Sequence, residues 1–110
     1  MYRVNLDQVV MDQVIQRLIA AADPEKIILF GSRARGSARP DSDLDLLLIA
    51  KGPGPSRELE VRAYASLRGL AVPVDILCYT PEQVEQWSAE PNHVIARAVR
   101  EGQLLYEKRH

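Results

Sequence analysis

Asp43 and Asp45 flank Leu44 and open the apolar run Leu46-Leu47-Leu48-Ile49. In an extended chain alternate side chains share a face, so the two carboxylates point one way, roughly 7 Å apart along the backbone, while Leu44, Leu46 and Leu48 point the other. Carboxylates so placed can converge on a hard divalent cation. Magnesium favours such oxygen ligands and shares them with substrate phosphates. Upstream, and separated from Asp43 by ten residues, Gly31-Ser32 closes a first apolar run, Lys26-Ile27-Ile28-Leu29-Phe30. A glycine lets backbone approach an anion closely, and consecutive amides with a hydroxyl can cradle phosphate. A phosphate seat beside a metal seat is the equipment of phosphoryl or nucleotidyl transfer. A third acid, Asp75, interrupts the apolar run from Val72 to Tyr79 and shares its face with Leu77 and Tyr79. Burying an unpaired charge there would be costly, so Asp75 calls for a purpose.

The elements that must position these groups are legible from periodicity and punctuation. Leu6, Val9, Val10, Val14, Ile15, Leu18 and Ile19 recur at helical spacing, predicting an amphipathic helix over 6–22, with Asn5 as its cap and Asp23-Pro24 as its stop. Lys26 to Phe30 is too short for a helix and predicts a strand. Ser32 to Gly36 can wind into one helical turn, and Ser37 to Ser42 predicts a loop that Pro40 helps to fix. Leu44 to Ala50 is the second strand, followed by the breaker cluster from Lys51 to Ser56, expected to be a mobile surface loop. Arg57 to Leu70 predicts a helix with Leu59, Ala63, Leu67 and Leu70 inward and Gly69 at its frayed end. Val72 to Tyr79 is a third strand whose Pro73 suits an edge. Thr80-Pro81-Glu82-Gln83 spells a capping box with proline at the first helical position. A last helix over 92–100, stopped by Gly102, leads to a closing strand at Leu104-Leu105-Tyr106. The order α-β-β-α-β-α-α-β indicates one α/β domain over residues 1–110, a mixed sheet of about four strands packed with helices.

Bulk composition narrows the function. At 110 residues, 46% apolar and 26% charged, the chain is ordinary globular material able to bury its own core. A net charge of −1 and 5% aromatic residues argue against direct nucleic-acid binding, which calls for a basic surface or stacking platforms. A lone Cys78 excludes an internal disulfide and a cysteine-rich zinc site. No apolar stretch has the length of a signal core or a membrane span, so a cytoplasmic setting is expected and no membrane partner.

Gly31-Ser32, ten intervening residues and Asp43-Leu44-Asp45 together resemble the nucleotidyltransferase signature of the DNA polymerase β superfamily. The fuller string Gly-Ser-Arg-Ala-Arg-Gly, with Ser42-Asp43-Leu44-Asp45-Leu46 and the ending Arg100-Glu101-Gly102-Gln103-Leu104-Leu105-Tyr106, is similar to its minimal nucleotidyltransferase (MNT) branch. Val74-Asp75-Ile76 matches the apolar-acid-apolar pattern of that family's third catalytic carboxylate. The resemblance implies a polymerase-β-like palm and two magnesium ions held by Asp43, Asp45 and Asp75, which are also the catalytic residues. Asp75 would serve the acceptor side and help deprotonate the attacking hydroxyl. It further implies ATP as substrate, bound through Gly31 and Ser32 together with Asp43 and Asp45, with Arg33, Arg35 and Arg39 placed to neutralise pyrophosphate. Members of the branch commonly pair with a small helical HEPN-type ribonuclease toxin. Transfer of AMP to a tyrosine of that partner is the implied antitoxin function. A partner protein is the expected acceptor, since nothing after Tyr106 resembles the second domain of larger relatives.

Blander readings stand beside these. The three acids can be strand-edge residues paired with Arg33, Arg35 or Arg39, and Arg35 is as well suited to a structural ion pair as to a phosphate. His93 is expected at the surface, Cys78, Trp87 and Val84 in the core, and Tyr64 and Tyr79, which could also serve as modification or partner-contact sites, in packing roles. Two other functions remain open: an antitoxin that neutralises its partner by occlusion alone, and a nucleotidyltransferase acting on a small molecule.

Overall fold

A computed structural model of the chain describes residues 8–36, 43–52 and 57–109, with the side chains of Arg33 and Arg35 outside that description. The elements are α1 (Gln8–Ala22), β1 (Lys26–Phe30), α2 (Gly31–Arg35), β2 (Leu44–Ile49), α3 (Arg57–Ser66), β3 (Val74–Tyr79), α4 (Pro81–Ser88), α5 (Val94–Glu101) and β4 (Gln103–Glu107). Asn5, the loop from Ser37 to Ser42 with Arg39, and most of the breaker cluster at 53–56 lie outside the described residues.

The strands form one four-stranded sheet in the order β3-β2-β1-β4. β1 runs antiparallel to β2 and β4, whereas β2 and β3 are parallel. A parallel pair needs a crossover, and α3 supplies it. The sheet is therefore mixed, as the sequence predicts, and β3 is an edge strand, which accommodates Pro73 just ahead of it.

Each sheet face packs a separate core. On one, Ile27, Leu29, Leu44, Leu46, Leu48, Ile76 and Cys78 meet Val14 and Leu18 of α1 and Leu59 and Ala63 of α3. On the other, Ile28, Leu47 and Ile49 meet Ile95 and Ala98 of α5, with Phe30, Leu77, Tyr79, Val84 and Trp87 packed around them. β2 is buried on both faces, which is why its sequence reads as a continuous apolar run rather than an alternating one. Burial pushes the Cys78 thiol up to about 12, the mark of a core residue and not of a nucleophile.

The local signals at Asp23-Pro24 and at Thr80-Pro81-Glu82-Gln83 were accurate. Asp23 adopts a left-handed φ of 44° and ends α1. Thr80 and Gln83 cap one another, Gln83 N donating to Thr80 Oγ1 at 3.1 Å and Thr80 N to Gln83 Oε1 at 2.8 Å. Three expectations need correction. Val9 is 65% exposed, because at about 3.6 residues per turn it lies on the opposite side of α1 from Leu18. α3 stops at Ser66, and the chain turns through Leu67 to Gly69 instead of continuing as helix to Leu70. His93 is no idle surface residue: its Nδ1 accepts from Ile95 N at 3.1 Å, capping α5, and its ring stacks on Trp87 at 4.4 Å between centroids.

α5 lies so close to β1 that position 102 has no room for a side chain. A Cβ there would press on Ala98 O and Ile28 Cγ2 and stand 2.9 Å from Leu29 O, although φ at Gly102 is an ordinary −79°. Gly102→Ala should therefore cost about 1–3 kcal/mol in urea unfolding through overpacking. A cost below a few tenths would show that α5 can slide away from β1.

Candidate active site

The site is built by register. Phe30 of β1 is paired with Asp45 of β2, and Asp45 with Asp75 of β3. Directly paired residues share a face, so all three project on the side covered further along by α4 and α5. Moving along β2 and β3 on that face, Leu47, Ile49, Leu77 and Tyr79 pack into the core, and the apolar surface gives way to carboxylates at Asp45 and Asp75. Asp43 is exposed and immediately precedes β2. Leu44 N already donates to Pro73 O at 2.8 Å, so the sheet anchors the residue next to it.

Gly31 begins the turn from β1 into α2 with φ of 75°, a left-handed conformation that side chains disfavour. It also faces Asp45 directly: a Cβ at position 31 would overlap Asp45 Oδ2 and stand 3.1 Å from Cγ. The carboxylate occupies the space that any other residue's side chain would fill. Gly31, Ser32 and Asp45 are all half-buried at this turn. On the α5 side of Gly31 a cavity of about 170 Å³ is lined by Phe30, Gly31, Val94, Arg97, Ala98 and Glu101.

Asp75 is exposed at the sheet edge, so the cost of burying a lone charge does not apply to it. It is held instead by Tyr64 of α3, whose Oη donates to Asp75 Oδ1 at 3.2 Å and accepts from Ile76 N at 2.8 Å. The phenol thus satisfies an edge N–H that no other strand among the described residues pairs. Partial burial and the nearby Asp75 charge raise the Tyr64 pKa above its ordinary value, while the Ile76 bond opposes them.

Residues 12–110 match the family described as "Polymerase beta, Nucleotidyltransferase". The chain belongs to the polymerase β nucleotidyltransferase family. No curated protein matches it. Among solved structures, the nucleotidyltransferase fold recurs in a toxin–antitoxin crystallised with AMP-PNP, at 20% identity and a TM-score of 0.59 over 89% of this chain and 74% of that one. It recurs in a putative nucleotidyltransferase from Sulfolobus solfataricus, at 20% identity and a TM-score of 0.52 over 93% and 90%. A third is a mutant of the toxin–antitoxin MntA–HpeT, at 17% identity and a TM-score of 0.59 over 89% and 73%.

Of the site residues expected for this nucleotidyltransferase domain, the fold brings Gly31, Asp45 and Asp75 onto one line across the end of the sheet, with Ser32 and Asp43 adjoining. The side chains of Arg33 and Arg35 lie outside the described residues. The donor set is entirely carboxylate oxygen, the chemistry a hard divalent ion takes. Among the described residues no three acidic, histidine or cysteine side chains are gathered tightly enough to enclose an ion, and Asp75 is engaged by Tyr64 instead. Sequence reasoning missed two contributors. Tyr64 reaches Asp75 only because α3 packs against β3, and Arg97 lines the cavity beside Gly31 only because α5 crosses β1; neither leaves a signal in local spacing.

Gly31→Ala should destabilise by more than the ~1–2 kcal/mol that a left-handed φ costs, because the new methyl displaces Asp45. In an Asp45→Ala background part of that cost should vanish, a coupling readable by a double-mutant cycle in urea. Strict additivity would mean that the carboxylate moves aside freely.

Proposed function

We propose that this domain transfers AMP from ATP to a hydroxyl, with magnesium, and that its acceptor is a tyrosine of a small HEPN-type toxin for which it acts as antitoxin, in the cytoplasm. The observation that carries the reading is the register pair Asp45–Asp75 at the open end of the sheet, with Gly31 fitted against Asp45, in a chain of nucleotidyltransferase family. The likeness of the fold to toxin–antitoxin structures, one of them crystallised with AMP-PNP, supports the choice of partner and nucleotide.

Asp43, Asp45 and Asp75 would hold the ions, and a pair of divalent cations in such a site offsets phosphate charge and activates the attacking oxygen. The remaining chemistry belongs to the chain. The turn at Gly31 and Ser32 offers backbone amides and a hydroxyl to the β- and γ-phosphates. Arg33 and Arg35, next in sequence, are assigned to the leaving pyrophosphate. Asp75, outermost and exposed, receives the acceptor's proton. An exposed carboxylate at the sheet edge is accessible to a hydroxyl carried by another protein, which fits a macromolecular acceptor. Among the described residues no helix is long and apolar enough to cross a membrane.

The test is incubation with ATP, magnesium and the small protein that co-purifies, read by intact mass. The partner should gain one or more AMP units, and Asp43→Asn should still bind it while leaving it unmodified, with unfolding midpoint unchanged. A partner neutralised equally well by Asp43→Asn, with no mass gained in either case, would replace catalysis with occlusion.

A further inference from the structure

An acceptor tyrosine must bring its hydroxyl to Asp75, and one residue of this chain already does so. Tyr64 Oη donates to Asp75 Oδ1 at 3.2 Å, while Ile76 N donates to the same phenol oxygen at 2.8 Å. The register extends this contact into a sequence of groups across the end of the sheet. Gly31 abuts the Asp45 carboxylate, Asp45 is paired with Asp75, and Tyr64 lies beyond Asp75 at the edge. Neighbouring strands are about 4.8 Å apart, so the phosphate seat, the carboxylates and the phenol follow one another at short steps. Tyr64 remains 41% exposed, leaving room for a substituent on its oxygen. The other tyrosines among the described residues are placed differently: Tyr79 packs against the α5 core and Tyr106 against the α1 and α3 core.

We propose that Tyr64 is a self-acceptor, so that the domain adenylylates its own α3 when no partner tyrosine occupies the site. The proposal rests on the nucleotidyl-transfer reading and adds to it a modification site on this chain. With a nucleoside triphosphate and a divalent cation bound, Tyr64 Oη attacks the α-phosphorus. The Oη–P bond forms as the bond from the α-phosphorus to the bridging oxygen breaks. Pyrophosphate leaves with that electron pair, and the phenolic proton passes to the Asp75 carboxylate. The Ile76 N–H, already aimed at Oη, stabilises the charge that develops on the attacking oxygen. Attack within one molecule gains the proximity that an intermolecular acceptor must obtain by docking.

The full chain alone, incubated with ATP and magnesium, should gain one AMP by intact mass, and peptide fragmentation should map it to Tyr64. The rate per molecule should not change with protein concentration. Tyr64→Phe should lack the modification yet still show a rise in melting temperature with ATP and magnesium, which separates acceptor loss from misfolding or lost nucleotide binding. AMP on a partner protein with none on Tyr64, or AMP on another tyrosine of this chain, would overturn the proposal and leave the transfer reading standing. No transfer to any acceptor, with no thermal response to ATP and magnesium, would remove both.

Discussion

The site depends on one steric fact: the carboxylate of Asp45 fills the volume where residue 31 would carry a side chain. The turn that closes β1 and the acid that opens β2 are thereby locked together. Neither Gly31 nor Asp45 can be understood from its own element. Antiparallel pairing of β1 with β2 sets Phe30 opposite Asp45, so the next residue must pass over the carboxylate. Glycine satisfies both demands, since φ of 75° is accessible to it and it presents no Cβ. In this fold Gly31 is first a glycine that lets an acid come near backbone.

From that contact the architecture follows outward. Two cores clamp the sheet from both faces, and β2, buried on each, is the rigid bar on which Asp45 is mounted. α5 covers the lower part of the same face and is held against β1 by the absence of a side chain at Gly102. The cap that His93 gives α5, braced by its stack on Trp87, fixes where that cover begins. Where α4 and α5 stop, the face becomes polar, and the carboxylates stand at the boundary between packed core and open surface. Asp45 and Asp75, held by strands rather than loops, are placed with the precision that the proposed transfer chemistry requires.

Much of this was legible in the chain. The apolar runs, the capping box at Thr80 and the breakers at Asp23-Pro24 and Gly102 located the elements, because each rests on local backbone chemistry. The alternation set Asp43 and Asp45 on one face and Asp75 with Leu77 and Tyr79 on one face of its own strand, whereas the sharing of a face by Asp45 and Asp75 comes from the β2–β3 register. What stayed hidden depends on packing between elements distant in sequence. Val9 belongs to an apolar pattern yet faces outward, since which arc of a helix is buried is decided by what the helix packs against. Asp75 looked like a buried charge because its neighbours are apolar, whereas β3 is an edge strand and Tyr64 comes round from α3 to meet it. His93 became a cap because it immediately precedes α5, and imidazole is an uncommon group in that position.

On the proposed reading, these carboxylates and the Gly31–Ser32 turn form one joint seat for a metal-bound triphosphate. Calorimetric titration with a non-hydrolysable ATP analogue, with and without magnesium, tests it most directly. The wild-type protein should bind the analogue tightly only when magnesium is present, and Asp45→Asn should lose that magnesium-dependent gain while remaining folded. Equal affinity with and without magnesium, or an unaltered gain in Asp45→Asn, would contradict the account.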